Sequence, residues 1–207
     1  MPSVSRILYS ISALLTIFAF ISFVFWDKPI ALYCYQTFEG TSLFEVIQLL
    51  GISTGKLVML AFAFVLGLYV LAYYLKGKTE TISEIKVLFG GYSLALVITH
   101  LLKYLLGRYR PKLFIEHDWY GFHGFSFLHD YNSMPSGHAT FAAGLIIPVG
   151  LLMYQKNKML ALFTIGFGIM LGLSRIIISI HFLSDVLVGM AIGLSCFAFA
   201  LQKIQKY

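Results

Sequence analysis

Residues 7–26 read ILYSISALLTIFAFISFVFW, a run without a single charged side chain. Arg6 precedes this run, and Asp27 and Lys28 follow it. An apolar stretch of about 20 residues can cross the hydrocarbon core of a bilayer as an α-helix. The run is too long for the apolar part of a signal peptide, and no small-x-small cleavage site follows it. We therefore predict a retained membrane-spanning helix that ends at Trp26, followed by a loop that begins at Asp27.

The composition of the whole chain extends this prediction to a multi-pass membrane protein. Of its 207 residues, 59% are hydrophobic and 12% are charged, whereas a soluble domain carries about 25% charged residues. Five further apolar runs lie at residues 57–75, 87–106, 139–154, 159–174 and 182–201. Since every backbone amide in a bilayer must be bonded within its own segment, we expect an all-α fold with six transmembrane helices. We expect one integral-membrane domain over residues 1–207.

A short helix is predicted between the first two spans. Residues 42–45 (SLFE) have the spacing of a helix-capping box, and Gly51 is placed to end the helix. The apolar side chains between these points favour a helix that lies at the membrane interface. A re-entrant or packing helix fits the same pattern equally well.

Positive charge is distributed unevenly over the loops that this topology defines. Apart from three cations discussed below, the side of the termini carries Arg6, Lys76, Lys78, Lys86, Lys156, Lys158, Lys203 and Lys206. The opposite side carries Lys28, Lys56, Arg108 and Lys112. Because positive loops stay in the cytoplasm, we predict a cytoplasmic (inner) membrane protein with both termini cytoplasmic. The net charge of +6 then reflects topology and a preference for anionic lipid, so we expect no nucleic-acid partner and no obligatory protein partner.

Three polar segments interrupt the apolar sequence: KYLLGRYRP at 103–111, PSGH at 135–138 and SRIIISIHFLSD at 174–185. In the six-span topology, the first segment ends the third span and the second opens the fourth. The last segment joins the fifth span to the sixth. All three therefore fall at one extracytoplasmic (periplasmic) rim, although the topology was derived from residues outside them. Ionisable residues are costly within a membrane and usually mark functional sites.

The third segment supplies a candidate nucleophile. His181 and Asp185 are four residues apart at the start of a helix, so their side chains lie on one face. A carboxylate bonded to one imidazole nitrogen fixes the tautomer, leaves the other nitrogen free to attack, and stabilises the cation that forms. The alternative is a histidine at the interface beside an unrelated aspartate.

The other segments supply groups that bind an anion. Ser136 and Gly137 lie at a predicted helix N-terminus, where free N–H groups favour negative charge, although an ordinary N-cap has the same sequence. His138 beside them can protonate a departing alkoxide. Three cations would neutralise phosphate oxygens in a transition state, although each alone is typical of an interfacial anchor. They are Lys103, Arg110 and Arg175.

Three histidines lie outside these segments, in the aromatic-rich loop over residues 107–134. They are His117, His123 and His129. Histidine can ligate metals, so a metal site is conceivable. Their regular six-residue spacing gives no helical or hairpin chelate, which favours contacts to lipid headgroups or the interface instead. We expect no metal site here.

The three segments closely resemble the type 2 phosphatidic acid phosphatase superfamily, whose pattern is Lys-x6-Arg-Pro, Pro-Ser-Gly-His and Ser-Arg-x5-His-x3-Asp. The resemblance covers about residues 103–185 and implies a metal-independent phosphatase without a cofactor that works through a phosphohistidine. It implies that His181 is the nucleophile, Asp185 its orienting partner and His138 the general acid. The phosphate ligands that it implies are Lys103, Arg110, Ser136, Gly137, Ser174 and Arg175.

The predicted spans favour the membrane lipid-phosphatase branch over soluble members such as acid phosphatases and vanadium haloperoxidases. The resemblance then implies a lipid phosphate in the bilayer as substrate. Lipid A, undecaprenyl diphosphate and phosphatidylglycerol phosphate all stay open. A lipid-to-lipid phosphotransferase is the second interpretation, because an alcohol can capture a phosphohistidine as water does. A non-enzymatic transporter or scaffold would require the three segments to coincide by chance.

Overall fold

A computed structural model of the chain describes residues 2–49, 75 and 80–204, and these residues are helical with no β-strand. A lone antiparallel bridge joins Arg108 to Phe122. The all-α fold class is therefore confirmed over the described residues. The helices are α1 (Pro2–Ile21), α2 (Asp27–Phe38), α3 (42–49), α4 (Glu80–Leu106), α5 (Pro111–His117), α6 (Gly137–Phe141), α7 (Ile147–Met153), α8 (Lys158–Ile177) and α9 (Leu183–Ile204).

The first predicted span continues well beyond its predicted end. A π-helical turn, Ser22–Trp26, joins α1 to α2, so that one apolar helix runs over Val4–Phe38. The prediction that this span ends at Trp26 and that a loop begins at Asp27 is wrong. The physical reason is that Asp27 does not face water: its carboxylate is buried and forms an ion pair with Arg108. A paired charge can lie inside a helix bundle, whereas an unpaired one cannot.

Among the residues that the structure describes, four helices are long and apolar enough to cross a membrane: Val4–Phe38, Ile82–Leu106, Lys158–Ile177 and Leu183–Lys203. The protein is therefore a multi-pass membrane protein. The segment predicted as the fourth span is a shorter apolar helix, Gly137–Met153. The predicted span at residues 57–75 lies outside the described residues except for Leu75. The number of six spans and the single domain over residues 1–207 stay predictions.

Helix α9 lies at the centre of the described bundle and packs against α1, α4 and α6. Gly189 and Gly193 of α9 allow this close packing. A Cβ atom at Gly189 would lie 2.5 Å from the carbonyl oxygen of Ser136, and one at Gly193 would lie 2.6 Å from the amide nitrogen of Gly144. Small residues at these positions therefore allow α6 and the π-helical turn after it, Ala142–Ile146, to pack closely against α9.

Helix α3 confirms that a short helix follows the first span, but its cap differs from the prediction. The N-cap side chain is Thr41, whose Oγ1 accepts a hydrogen bond from the amide of Phe44 at 3.2 Å. The N-cap therefore lies one residue before the predicted Ser42, and Phe44, three residues after Thr41, cannot complete a capping box. Gly51 lies outside the described residues, and the placement of α3 at the membrane interface stays a prediction.

Candidate active site

The three polar segments meet at one end of the bundle, as the sequence predicts. Lys103 lies in the last turn of α4, Arg110 precedes α5, and His138 lies in the first turn of α6. Arg175 lies in the last turn of α8, and His181 lies two residues before α9. All five side chains line one cavity of about 720 Å³, together with Gly137.

His181 lies beside Asp185 at the wall of this cavity, and both side chains are buried. The His181 Nδ1 atom is 3.6 Å from Asp185 Oδ2 and 3.4 Å from Ser133 Oγ. Ser133 donates its hydroxyl proton to the same Asp185 oxygen at 2.6 Å, so both neighbours of Nδ1 act as acceptors. These acceptors favour the tautomer that carries its proton on Nδ1, which leaves the free lone pair of the imidazole on Nε2.

The environment of His181 also keeps its imidazole neutral. Burial lowers the pKa of His181 well below its usual range; Asp185 opposes this shift, and the positive charges of Arg110 and Lys103 reinforce it. The imidazole therefore holds its lone pair at neutral pH, as a nucleophile requires.

Two of the cavity cations, Lys103 and Arg110, are held by backbone carbonyls instead of carboxylates. Lys103 Nζ donates to the carbonyl of Asn132 at 2.9 Å. Arg110 donates to the carbonyls of His129, Ile180 and Asn132 at 2.9, 3.2 and 3.4 Å. Within the described part of the chain, neither cation has a carboxylate within ion-pair distance, and the same holds for Arg175. Burial lowers the pKa of Arg110, which Asp185 and Asp130 oppose, and the side chain stays cationic. Glu39, Glu116 and Asp130 also line the cavity, but none of them forms an ion pair with Lys103, Arg110 or Arg175, so these three cations can bind an anion.

Two serines that were predicted as phosphate ligands do not line the cavity. Ser136 is buried, its amide donates to the carbonyl of Asp185 at 3.0 Å, and its hydroxyl has no partner among the described residues. Ser174 donates to the carbonyl of Leu171 at 2.7 Å and accepts from Arg175 Nε at 3.1 Å. In this arrangement the Ser174 hydroxyl orients the Arg175 side chain. Contact of Ser136 or Ser174 with phosphate stays a prediction.

Arg108 is a site residue that sequence reasoning missed, since it was counted as a loop cation. The chain turns at Gly107, whose φ is +55° and whose backbone lies so close to Gly124 that no side chain fits. This turn directs Arg108 inward, where it is 0% exposed and donates to Asp185 Oδ1 at 2.5 Å. Burial alone would lower the pKa of Arg108, but the carboxylates of Asp185 and Asp27 outweigh it and raise that pKa. The sequence signal that could have pointed to Arg108 is Asp27, because an aspartate next to a long apolar run needs a cation as its partner if it is buried.

Aromatic side chains enclose Arg108. Its guanidinium carbon is 4.9 Å from the ring centroids of both Phe23 and Phe182. Tyr120 donates its hydroxyl proton to the backbone carbonyl of Phe23 at 2.5 Å, and its oxygen lies 3.2 Å from Asp27 Oδ2. Tyr120 of the aromatic loop, together with Phe23 and Phe182, thus covers the ion pairs of Arg108 behind His181.

The three loop histidines have separate partners. His117 contacts the ring of Trp119, His123 contacts the rings of Tyr109 and Tyr131, and His129 lies 3.3 Å from Asp130. Over the residues that the structure describes, no three histidine, cysteine or acidic side chains are grouped as metal ligands. Of the three histidines, His129 lines the cavity.

The site thus combines a neutral histidine beside a carboxylate with a cavity lined by cations, in the apolar helix bundle of a membrane protein. Residues 84–207 match the model of the PAP2 superfamily, so the chain belongs to this superfamily. The resemblance seen in the three sequence segments is thereby confirmed.

Two curated relatives carry the name lipid A 1-phosphatase, one from Rhizobium johnstonii and one from Rhizobium etli. Each is 32% identical over 97 residues, which is 47% of this chain. The matched part spans 38% of the first relative and 40% of the second. The fold is similar to the crystal structure of a transmembrane PAP2-type phosphatidylglycerolphosphate phosphatase from Bacillus subtilis. That comparison has a TM-score of 0.58 and 17% identity, and covers 99% of this chain and 96% of the other.

Proposed function

We propose that this protein is a membrane lipid phosphatase that forms a phosphohistidine at His181. The observation that carries the proposal is the convergence of His181, His138 and the three cations on one cavity. Membership of the PAP2 superfamily and the names of the relatives support the same activity. The site is proposed to lie on the extracytoplasmic side of the inner membrane with both termini cytoplasmic, which the unequal distribution of lysine and arginine supports.

In the first step, Nε2 of His181 attacks the phosphorus atom and the bond from phosphorus to the lipid oxygen breaks. His138 donates a proton to that oxygen, which takes the electron pair of the broken bond. Water then attacks the phosphohistidine, His138 accepts a proton from it, and the phosphorus–nitrogen bond breaks to release inorganic phosphate. Lys103, Arg110 and Arg175 stabilise the negative charge on the phosphoryl oxygens in both steps.

The remainder of the cavity suits a lipid substrate. Its wall includes apolar side chains from three elements: Phe44 of α3, Ile115 of α5, and Ile178 just after α8. The cavity lies at the ends of α4 and α8, two helices of membrane-spanning length. An acyl or prenyl tail can therefore remain in the bilayer while its phosphate reaches the cations. Lipid A, undecaprenyl diphosphate and phosphatidylglycerol phosphate are the proposed candidates.

Phosphate release from a panel of lipid phosphates by the purified protein in detergent tests this proposal. Phosphatidylglycerol phosphate, lipid A and undecaprenyl diphosphate would be compared with an aryl phosphate, using the parent and the His138→Ala variant. General acid catalysis contributes about 10²–10⁴-fold. We expect His138→Ala to lose most of this factor on phosphatidylglycerol phosphate, whose alkoxide leaving group needs a proton, and much less on diphosphate or aryl substrates.

Two outcomes of this panel would count against the proposal. Absence of phosphate release from every lipid by the parent would refute the lipid-phosphatase activity. An equal loss on all substrates in His138→Ala would show that His138 binds phosphate instead of donating a proton.

The proposed chemistry also predicts the response to chelators and to vanadate. Since side-chain cations neutralise the phosphoryl charge, we expect full activity in EDTA. Vanadate should inhibit, because it forms a trigonal-bipyramidal mimic of the transition state on the histidine. The measurement is phosphate release with and without each reagent. Activity that is lost in EDTA and restored by zinc or magnesium would contradict this mechanism. The three loop histidines would then be candidate metal ligands: His117, His123 and His129.

A further inference from the structure

Three buried charges lie behind the nucleophile, and they do not cancel. Asp27 is 1% exposed, and Arg108 and Asp185 are each 0% exposed. The Arg108 Nη1 atom donates to Asp185 Oδ1 at 2.5 Å, and its Nη2 atom donates to Asp27 Oδ2 at 2.5 Å. Two carboxylates thus share one guanidinium, which leaves one excess negative charge beside His181.

We propose that Asp27 is a positioning residue for the nucleophile: it shares Arg108 with Asp185 and so preserves the negative charge of the Asp185 carboxylate. Asp27 belongs to the first spanning helix, outside residues 84–207 that match the superfamily model. The inference rests on the proposed function, because it gives Asp27 a role in the reaction at His181.

The hydrogen bonds of Asp27 hold its carboxylate in place. Its Oδ1 atom accepts from Ser22 Oγ at 2.7 Å and from the Ser184 amide at 2.9 Å. Its Oδ2 atom accepts from the Ser184 hydroxyl at 2.5 Å, in addition to Arg108. The π-helical turn Ser22–Trp26 directly precedes Asp27, and such turns within α-helices are frequent at functional sites.

Asp27 determines how Arg108 meets Asp185. A guanidinium prefers to bind a single carboxylate through two parallel N–H groups, which would neutralise Asp185. Because Asp27 binds the Nη2 group, Asp185 Oδ1 accepts a hydrogen bond from the Nη1 group only. Its Oδ2 atom, held by Ser133 and by the amide of Phe182 at 2.8 Å, remains next to His181.

This charge is used when His181 attacks, because the imidazole then becomes cationic in a cavity that already holds cations. An excess negative charge behind the ring stabilises that cation. A role in stability alone is a weaker explanation, since buried ion pairs contribute little net stability compared with apolar residues of similar size.

Vanadate and inorganic phosphate separate these two roles. Vanadate bonds to the attacking nitrogen, whereas phosphate is held by the cavity cations without that bond. Orienting carboxylates behind metal-ligating histidines contribute about 10–100-fold, and we expect a similar size here. Asp27→Asn should therefore weaken vanadate binding about tenfold and phosphate binding less than about threefold, as measured by calorimetry on the purified protein in detergent. Ser22→Ala is the matched control: it removes a hydrogen bond to Asp27 but keeps the charge, so it should weaken vanadate binding no more than about twofold.

A double variant keeps the test decisive if Asp27→Asn does not fold. Asp27→Asn with Arg108→Gln leaves no unpaired arginine and restores one excess negative charge on Asp185. The ratio of its vanadate affinity to its phosphate affinity should return to within about threefold of the ratio for the parent. A change of about threefold in affinity is smaller than the loss of one hydrogen bond to a charged group would cause. The inference would be overturned if Asp27→Asn kept the parent's preference for vanadate over phosphate. It would also be overturned if the double variant showed the low preference that is expected for Asp27→Asn alone. If His181→Ala binds vanadate as tightly as the parent does, the proposed function fails instead.

Discussion

Replacement of His181 by alanine is expected to abolish phosphate release, by at least about 10⁴-fold, because the group that accepts the phosphoryl unit is removed. The cavity cations remain in this variant, so inorganic phosphate should bind nearly as it does to the parent. Phosphate release and phosphate binding by the purified variant in detergent measure the two effects separately.

The matched control for His181→Ala is His100→Ala. His100 is an exposed histidine one turn before Lys103, and its Nδ1 atom lies 2.9 Å from the carbonyl of Leu96. It does not line the cavity, so its replacement should leave turnover at the level of the parent. Near-normal turnover in a folded His181→Ala protein would eliminate the nucleophile assignment.

Asp185→Asn is expected to lower turnover by up to about 10⁴-fold, the size found for the orienting aspartate of serine-protease triads. The amide removes the negative charge that stabilises the His181 cation and no longer fixes its tautomer. Arg108, Ser133 and the Phe182 amide all donate hydrogen bonds to the Asp185 carboxylate, and in the variant they would face a neutral amide instead. The effect should fall on kcat much more than on KM, because the cavity cations still bind substrate.

Asp118→Asn is the control for this substitution. Asp118 is exposed in the left-handed conformation with φ +55°, which asparagine also adopts, and it does not line the cavity. Its replacement should leave kcat at the level of the parent. Equal kcat values for Asp185→Asn and the parent would remove the carboxylate from the mechanism.

The convergence of the site could be predicted from sequence because each step uses a local rule. Apolar runs of spanning length determine which helix ends lie on the same side of the membrane. The four-residue spacing places His181 and Asp185 on the same face of a helix. The described structure brings His181 to one cavity with Lys103, Arg110 and Arg175, and Asp185 Oδ2 lies 3.6 Å from His181 Nδ1. These rules do not depend on the details of packing.

The residues behind the nucleophile could not be predicted by the same rules. Asp27 and Arg108 are separated by 81 positions in the chain, and their contact depends on how the first span packs against the loop after α4. From the sequence, the charges at Asp27 and Lys28 predict the end of the span. In the structure the Asp27 carboxylate is buried within the helix, because Arg108 forms an ion pair with it. Ser133 lies just before the second segment, but no spacing rule assigns its hydroxyl to Asp185.

The central claim is that the reaction passes through a covalent phosphate on His181. Rapid acid-free quenching of the purified protein during turnover of a substrate with radiolabelled phosphate measures it most directly. The account predicts a label on the protein that is lost in acid, stable in base, located at residue 181 and absent from His181→Ala. A parent protein that turns over without any such label, or a His181→Ala variant that retains it, would contradict the account.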